Sequence, residues 1–190
     1  MKKGMRVLFT LVLLISFMAS VGYAGSNVLK EEYQKLQKEL DEKIKTIKSR
    51  KEYNVLLKYR SKALNDILSK IKRSVKSDEN MLLKAQIMMD LRQMTPAMTI
   101  FDKLIKNGSK LANEAKLGKV RGLLATRKSD EAYTLFKEIE ADVKPSPEVD
   151  EIFMTLAFTL KDEAKKTEYA NKYLKSAGND PKAENNKAYI

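Results

Sequence analysis

Residues 128–140, "KSDEAYTLFKEIE", place a short polar turn directly before an amphipathic run. In that run Ala132, Phe136 and Ile139 follow each other at steps of four and three residues, and charged side chains fill most of the gaps. Apolar residues at this spacing lie on one face of an α-helix. The stretch therefore predicts a helix that starts after Ser129-Asp130 and packs that face on a neighbouring element.

The same pattern occurs earlier in the chain, where Ala97 is followed by Phe101, Leu104 and Ile105. Ala97 and Ala132 are 35 residues apart. A third unit is offset by two residues and contains Phe153, Leu156, Ala157, Leu160, Tyr173 and Pro181. Self-similarity at such a period indicates stacked helix pairs, because one pair alone leaves an apolar face unburied.

These residues resemble the tetratricopeptide (TPR) repeat, a helix pair of about 34 residues. The resemblance covers residues 78–181 and implies about three TPR-like hairpins stacked as an α-solenoid. Tyr169 departs from the pattern, since the family has a small residue there. Two antiparallel helices approach closely only at small side chains, and the candidates for these crossing points are Ala85, Ala97, Ala132 and Ala157.

In this family the first helix of each pair lines a concave groove that binds peptides or partner proteins. Carried over by position, the resemblance implies a groove lined by Glu79, Leu82, Gln86, Met89, Asp90, Glu114, Leu117, Arg121, Leu124, Met154 and Phe158. A mainly apolar surface with few charges suits a helix or an extended peptide. The alternative is that the apolar members pack against neighbouring helices.

Residues 25–76 are predicted to form a basic helical arm made of two amphipathic helices. Their apolar positions are Leu29, Tyr33, Leu36, Leu40, Ile44 and Ile47, and then Tyr53, Leu57, Leu64, Ile67, Ile71 and Val75. The "KSRKEY" segment between them is either a tight turn or a continuing helix. Narrow apolar stripes flanked by Lys and Glu are typical of a coiled-coil seam. The arm is thus expected to be a long hairpin or coiled coil that self-associates through residues 28–76, or else to pack on the following domain.

The first 24 residues differ from the rest and match a secretory signal peptide. Lys2, Lys3 and Arg6 precede an apolar stretch over residues 7–21, and the segment ends in Gly22-Tyr23-Ala24. The apolar stretch is short for a membrane anchor, which needs about 20 residues. We expect cleavage after Ala24 and export to the periplasm or the medium. The repeats are then expected over residues 77–181, with Ser77 or Asp78 capping the first helix, and a disordered tail over residues 182–190.

The composition argues against catalysis. The chain has no His, Cys or Trp, which removes imidazole bases, thiol nucleophiles and the usual zinc ligands. Five methionines lie between positions 81 and 98. Thioethers bind Cu(I), but Met is also a common filler of cores and adaptable surfaces. The sequence therefore predicts a protein that is not an enzyme and has no cofactor or metal.

The positive charge is concentrated near the N-terminus. The formal net charge is +12; residues 28–76 hold 15 Lys or Arg against 7 acids, whereas residues 77–190 hold 19 against 18. An exported chain is not expected to meet nucleic acid. The sequence therefore predicts a noncatalytic protein–protein interaction scaffold or adaptor of the bacterial cell envelope. A binding protein for an anionic envelope polymer or lipid surface is the alternative. A coiled-coil arm before TPR repeats also resembles periplasmic proteins that coordinate cell-wall synthesis with outer-membrane constriction.

Overall fold

The structure, a computed structural model, describes residues 25–177. In this range the chain is all-α, as predicted, and has no strand. Its eight helices are α1 (Ser26–Thr46), α2 (Arg50–Arg73), α3 (Asp78–Asp90), α4 (Met94–Lys106), α5 (Ala112–Ala125), α6 (Ser129–Lys137), α7 (Pro147–Thr159) and α8 (Glu163–Ala177). None of these helices is long and apolar enough to cross a membrane. The predicted signal peptide and the predicted tail lie outside the described residues.

Serine caps define where several helices begin. The chain turns at residues 47–49, at the start of the "KSRKEY" segment, because α1 ends at Thr46 and Ser49 opens α2 by accepting a hydrogen bond from the Glu52 amide at 3.2 Å. Ser77 caps α3 by accepting from the Asn80 amide, which confirms the expected cap. Such caps satisfy backbone N–H groups that have no partner inside the helix.

The chain divides into two compact units, one up to Arg92 and one from Gln93. In the first unit α1 packs along α2, and α3 packs on both. The third helix, α3, thus shares a core with the two arm helices. That core is built from Leu29, Leu36, Leu40, Leu64, Ile67, Leu68, Ile71, Leu83 and Ile87.

Part of the predicted apolar stripe of the arm is not buried. Ile44 is 52% exposed, Tyr53 42% and Leu57 41%. The reason is the length of the third helix: α3 has 13 residues, whereas α1 has 21 and α2 has 24. At 1.5 Å per residue, α3 is roughly 12 Å shorter than α1 and roughly 17 Å shorter than α2, and it leaves one end of the pair uncovered.

Asp90, the last residue of α3, ties that helix to both others. Its carboxylate accepts hydrogen bonds from the Tyr33 hydroxyl at 2.8 Å and from the Gln37 amide, both on α1. Arg60 of α2 forms an ion pair with it at 3.2 Å. The Asp90 side chain is 18% exposed, so these partners compensate for lost hydration. This network marks the level at which the three-helix layer ends.

The second unit contains α4 to α8, and each helix packs on the next one in the chain. In addition α5 packs on α7, so first helices of successive pairs also meet. The arrangement is helical and repeat-like. The core of this unit comprises Val120, Leu123, Ala132, Phe136, Ile139, Val149, Ile152, Leu156, Ala157, Leu160, Tyr169 and Ala170. All three residues of the opening motif, Ala132, Phe136 and Ile139, are therefore core residues.

Helices α4 and α5 cross at a glycine that the sequence pattern did not single out. An ideal Cβ on Gly118 would lie 2.5 Å from Cζ of Phe101 and 2.7 Å from Cε1. The ring of Phe101 is fully buried, and its Cζ end points at this part of α5. A glycine within a helix costs about 1 kcal/mol relative to alanine, and here it makes the close packing of the two helices possible.

Two helix ends repeat with the same period as the side chains. Arg92 follows α3 with φ of 59°, and Arg127 follows α5 with φ of 62°. These two residues, like Ala97 and Ala132, are 35 positions apart. Residues in this left-handed conformation commonly end helices, and Gly108 with φ of 63° ends α4 in the same manner. The local backbone therefore recurs together with the apolar pattern.

Candidate functional site

The first helices of two successive pairs, α5 and α7, carry six of the predicted groove residues. Glu114 is exposed, Phe158 is 46% exposed, and the other four are half-buried: Leu117, Arg121, Leu124 and Met154. Leu117 and Leu124 also pack against the core of the second unit. These two leucines thus pack against neighbouring helices, which was the alternative to a groove, and part of their surface stays accessible.

An ion pair joins the two helices on this surface. Arg121 of α5 donates to Glu148 of α7 at 3.0 Å, and both side chains are about two-fifths exposed. An exposed pair of this kind contributes little to stability, typically below about 1 kcal/mol. It does hold the two side chains in a fixed orientation between the helices. The predicted residue Arg121 therefore meets α7 rather than pointing into open solvent.

A cleft of about 410 Å³ opens beside the start of α5. Leu117, Ile139 and Val143 form its apolar floor, and its polar rim is made of Lys110, Asn113, Glu114, Asp142 and Lys144. The Asn113 amide donates to Asp142 across the rim at 3.3 Å. The volume lies in the range of small-ligand sites. An apolar floor with both signs of charge at the rim suits a single apolar side chain of a bound peptide together with its backbone.

The other predicted groove residues lie on α3, in the first unit. Glu79, Leu82, Gln86 and Met89 are half-buried. Asp90 belongs to the network with Tyr33, Gln37 and Arg60 described above. Its carboxylate therefore stabilises the packing of the three helices in the first unit.

Sequence reasoning missed a group of charged residues that joins α8 to the end of α6. Lys172 donates to both Glu140 and Glu168, and Lys137 reaches Glu140 at 3.0 Å and Glu168 at 3.3 Å. Burial, the largest influence, tends to raise the pKa of Glu140, but hydrogen bonds from Lys172 and Lys137 outweigh it and lower that pKa. The hydrogen bond from Lys172 is the main cause of the lowered pKa of Glu168. Both carboxylates are therefore held in the charged form.

Tyr169, the residue that departs from the repeat pattern, completes an aromatic cluster. Its ring centroid lies 5.8 Å from those of Tyr133 and Phe153 and 6.2 Å from that of Phe136. The hydroxyl donates to Glu140 at 3.3 Å, and burial raises the pKa of this hydroxyl. A small residue here would leave a cavity among three rings, which explains the large side chain. Only the departure itself marked the position in the sequence.

Within residues 25–177, no cluster of acidic side chains has the arrangement needed to hold a metal ion. Comparison with protein-family models, with curated proteins and with solved structures finds no match to this chain.

Proposed function

We propose that this protein is a noncatalytic interaction module of the TPR-like type, which binds a helix or extended peptide of a partner protein on the surface of α5 and α7. The observation that carries the proposal is the packing of α5 on α7, since it joins two first helices into one surface. Phe158 is an exposed aromatic residue of α7, and the proposal assigns its ring to that surface. Exposed aromatic residues are frequent anchors in protein interfaces.

The cleft beside α5 supports the same proposal at a second point. Leu117 belongs both to its floor and to the predicted groove. A peptide that crosses the surface would place one apolar side chain in the cleft and another against Phe158. Peptide recognition through a few spaced anchors is a common mode for helical grooves.

The proposed setting is the bacterial cell envelope, where the protein acts as a scaffold or adaptor. The support is the signal-peptide pattern of residues 1–24. Mass spectrometry of the exported protein tests the setting. The expected mature chain begins at Gly25, and an intact Met1 on a membrane-embedded protein would contradict it.

Site-specific photocrosslinking in the native host tests the partner surface. A photoreactive residue at position 158 or 117 should capture the same protein, whereas one at Thr134, an exposed residue of α6, should not. Phe158→Asp should then abolish capture from position 117 without lowering the thermal midpoint. Capture from Thr134 but from neither 117 nor 158 would show that the proposed surface is wrong.

The second candidate function is binding of an anionic polymer or lipid surface by the first unit. The observation that favours it is the local charge, 15 basic against 7 acidic residues over positions 28–76. Such an excess attracts anionic surfaces within a Debye length. The two functions are compatible, because they use different units of the chain.

A further inference from the structure

The uncovered end of the α1–α2 pair combines exposed apolar side chains with a dense positive charge. Ile44, Tyr53 and Leu57 continue the apolar stripes that further along the same helices form the core. Ile44 follows Leu40 by four residues, and Leu57 precedes Leu64 by seven, which keeps each on its core-facing stripe. We call residues 43–62, which include these three, the hairpin end.

The hairpin end extends past the last contacts made by α3. The final residue of α3, Asp90, bonds Gln37 of α1 and Arg60 of α2. From there α1 runs nine residues further, to Thr46, and α2 starts ten residues before Arg60. The two helices thus project by roughly 14 Å beyond the three-helix layer. Among residues 25–92 of this unit, no helix covers the apolar stripe over that length.

The charge of the hairpin end is strongly positive. Residues 43–62 contain eight Lys or Arg and a single acid, Glu52, which gives a formal charge of +7. When residues 38–42 of the projecting part of α1 are included, with Lys38, Glu39, Asp41 and Glu42, the charge is +5. Among the described residues, five of these cations have no ion-pair partner: Lys48, Arg50, Lys51, Lys58 and Lys62. All five are exposed and lie on the same stretch of chain as the exposed apolar side chains, so they are available to an external anionic surface.

We propose that the hairpin end docks on the surface of a bilayer that contains anionic lipid. The proposal rests on the second candidate function and deepens it, because it names the class of ligand and the side chains. Ile44, Tyr53 and Leu57 enter the boundary between headgroups and acyl chains, and the surrounding Lys and Arg contact lipid phosphates. Tyrosine suits this boundary, with an apolar ring and a polar tip.

Charge and chemistry favour lipid over the other two occupants of such a surface. A second copy would bring another +7 end against the first, and like charges repel at close range. A hydrated anionic polymer would satisfy the cations but would gain nothing from Ile44, Tyr53 and Leu57. Of these three occupants, the bilayer surface is the one that offers anionic groups and apolar material at the same place.

Fluorescence of labelled single-cysteine variants tests the docking directly, and the absence of native cysteine makes the labelling specific. The mature full-length chain carries an environment-sensitive dye at Leu57→Cys or, as the matched control, at Val75→Cys. Val75 is 56% exposed and follows the other end of α2. Vesicles of phosphatidylcholine mixed with phosphatidylglycerol should shift the emission of the dye at 57 but not at 75. Pure phosphatidylcholine vesicles should shift neither.

Two sets of substitutions separate the apolar from the ionic contribution in cosedimentation with the same vesicles. Lys48→Gln or Lys51→Gln should each weaken binding about five-fold at low salt, and less at high salt. Ile44→Ser with Leu57→Ser should weaken it at both salt concentrations. All four side chains are exposed, so an unchanged circular dichroism melt is expected.

Three outcomes would overturn the proposal. The first is no binding to the anionic vesicles, and the second is full retention of binding by the Ile44→Ser, Leu57→Ser variant, which indicates charge-only attraction to any polyanion. The third is a dimer in light scattering that Leu57→Ser dissolves, which assigns the surface to a second copy. Photocrosslinking from position 158 is measured separately, so failure of either test leaves the other interpretable.

Discussion

Gly118 shows at the scale of one residue how closely two helices of this chain approach. Its Cα faces the ring of Phe101, and the ring is enclosed on all sides by other residues. A methyl group at this position requires either the ring or the whole of α4 to move. The glycine is therefore a packing requirement and not a source of flexibility.

We expect Gly118→Ala to destabilise the protein despite the higher helix propensity of alanine. The new Cβ would lie 2.5 Å from the Phe101 ring, and overpacking of this kind costs about 1–3 kcal/mol. The propensity gain is at most about 1 kcal/mol. Chemical denaturation measures the difference. The double variant Gly118→Ala, Phe101→Leu is the control and should recover part of the loss; a single variant as stable as the parent would disprove the close crossing.

Arg127 lies in the left-handed region with φ of 62°, where a side chain with a Cβ is disfavoured. We expect Arg127→Gly to raise the free energy of unfolding by a few tenths to about 1 kcal/mol, because glycine adopts this conformation without that strain. Arg127→Ala, which keeps the Cβ, is the control and should bring no gain. A denaturation midpoint that rises equally in both variants would indicate that loss of the charge, not relief of the backbone, is responsible.

At the scale of elements, α8 is joined to the end of α6 by a charged network around a buried tyrosine. Glu140 and Glu168 are the acids, Lys137 and Lys172 the bases, and the Tyr169 hydroxyl faces Glu140. Because Glu140 is mostly enclosed, removing its cations would leave a poorly hydrated charge. The network therefore makes the stability of this junction sensitive to the ionisation of two carboxylates.

Acid should weaken this junction. The pKa of Glu140 is lowered in the folded protein from its ordinary value of 4.5, so its ion pairs contribute stability above pH 4.5 and lose that contribution as the pH falls through the folded-state pKa. The stability difference between the parent and Glu140→Gln should thus shrink steadily below pH 4.5. Thermal melts from pH 7 to pH 3 measure it. A stability difference that stays constant over this range would show that the ion pairs of Glu140 do not contribute to the stability of the folded protein.

Across the described chain, the two units have separate cores. The buried cluster of the first unit contains Leu64, that of the second contains Phe136, and the two clusters share no residue. Each cluster joins helices of its own unit. We consequently expect each unit to unfold with its own free energy, and not together with the other unit in one step.

Hydrogen exchange of two core variants tests this separation. Leu64→Ala and Phe136→Ala each remove a fully buried side chain, at an expected cost of about 2–5 kcal/mol. The first should accelerate exchange in α1 to α3, and the second in α5 to α8, before the other unit responds. Each variant is the control for the other. Equal acceleration throughout the chain in both variants would mean that the units unfold as one.

The helices of this protein are largely a local property. Spacing of apolar residues at three and four positions, serine caps at Ser49 and Ser77, and the turn at Asn107-Gly108 act within a few residues of the chain. Such signals are readable because hydrogen bonding and side-chain facing repeat with every turn. The spacing predicted an all-α chain and the burial of Ala132 and Phe136.

The tertiary structure alone decided which apolar stripes are covered. Ile44, Tyr53 and Leu57 belong to the same periodic pattern as Leu40 and Leu64, yet α3 is too short to reach them and they stay exposed. The approach of Gly118 to Phe101 and the grouping of Glu140 with Lys172 likewise join residues 17 and 32 positions apart. Periodicity tells which side of a helix is apolar, but the length and placement of its neighbours determine whether that side is buried.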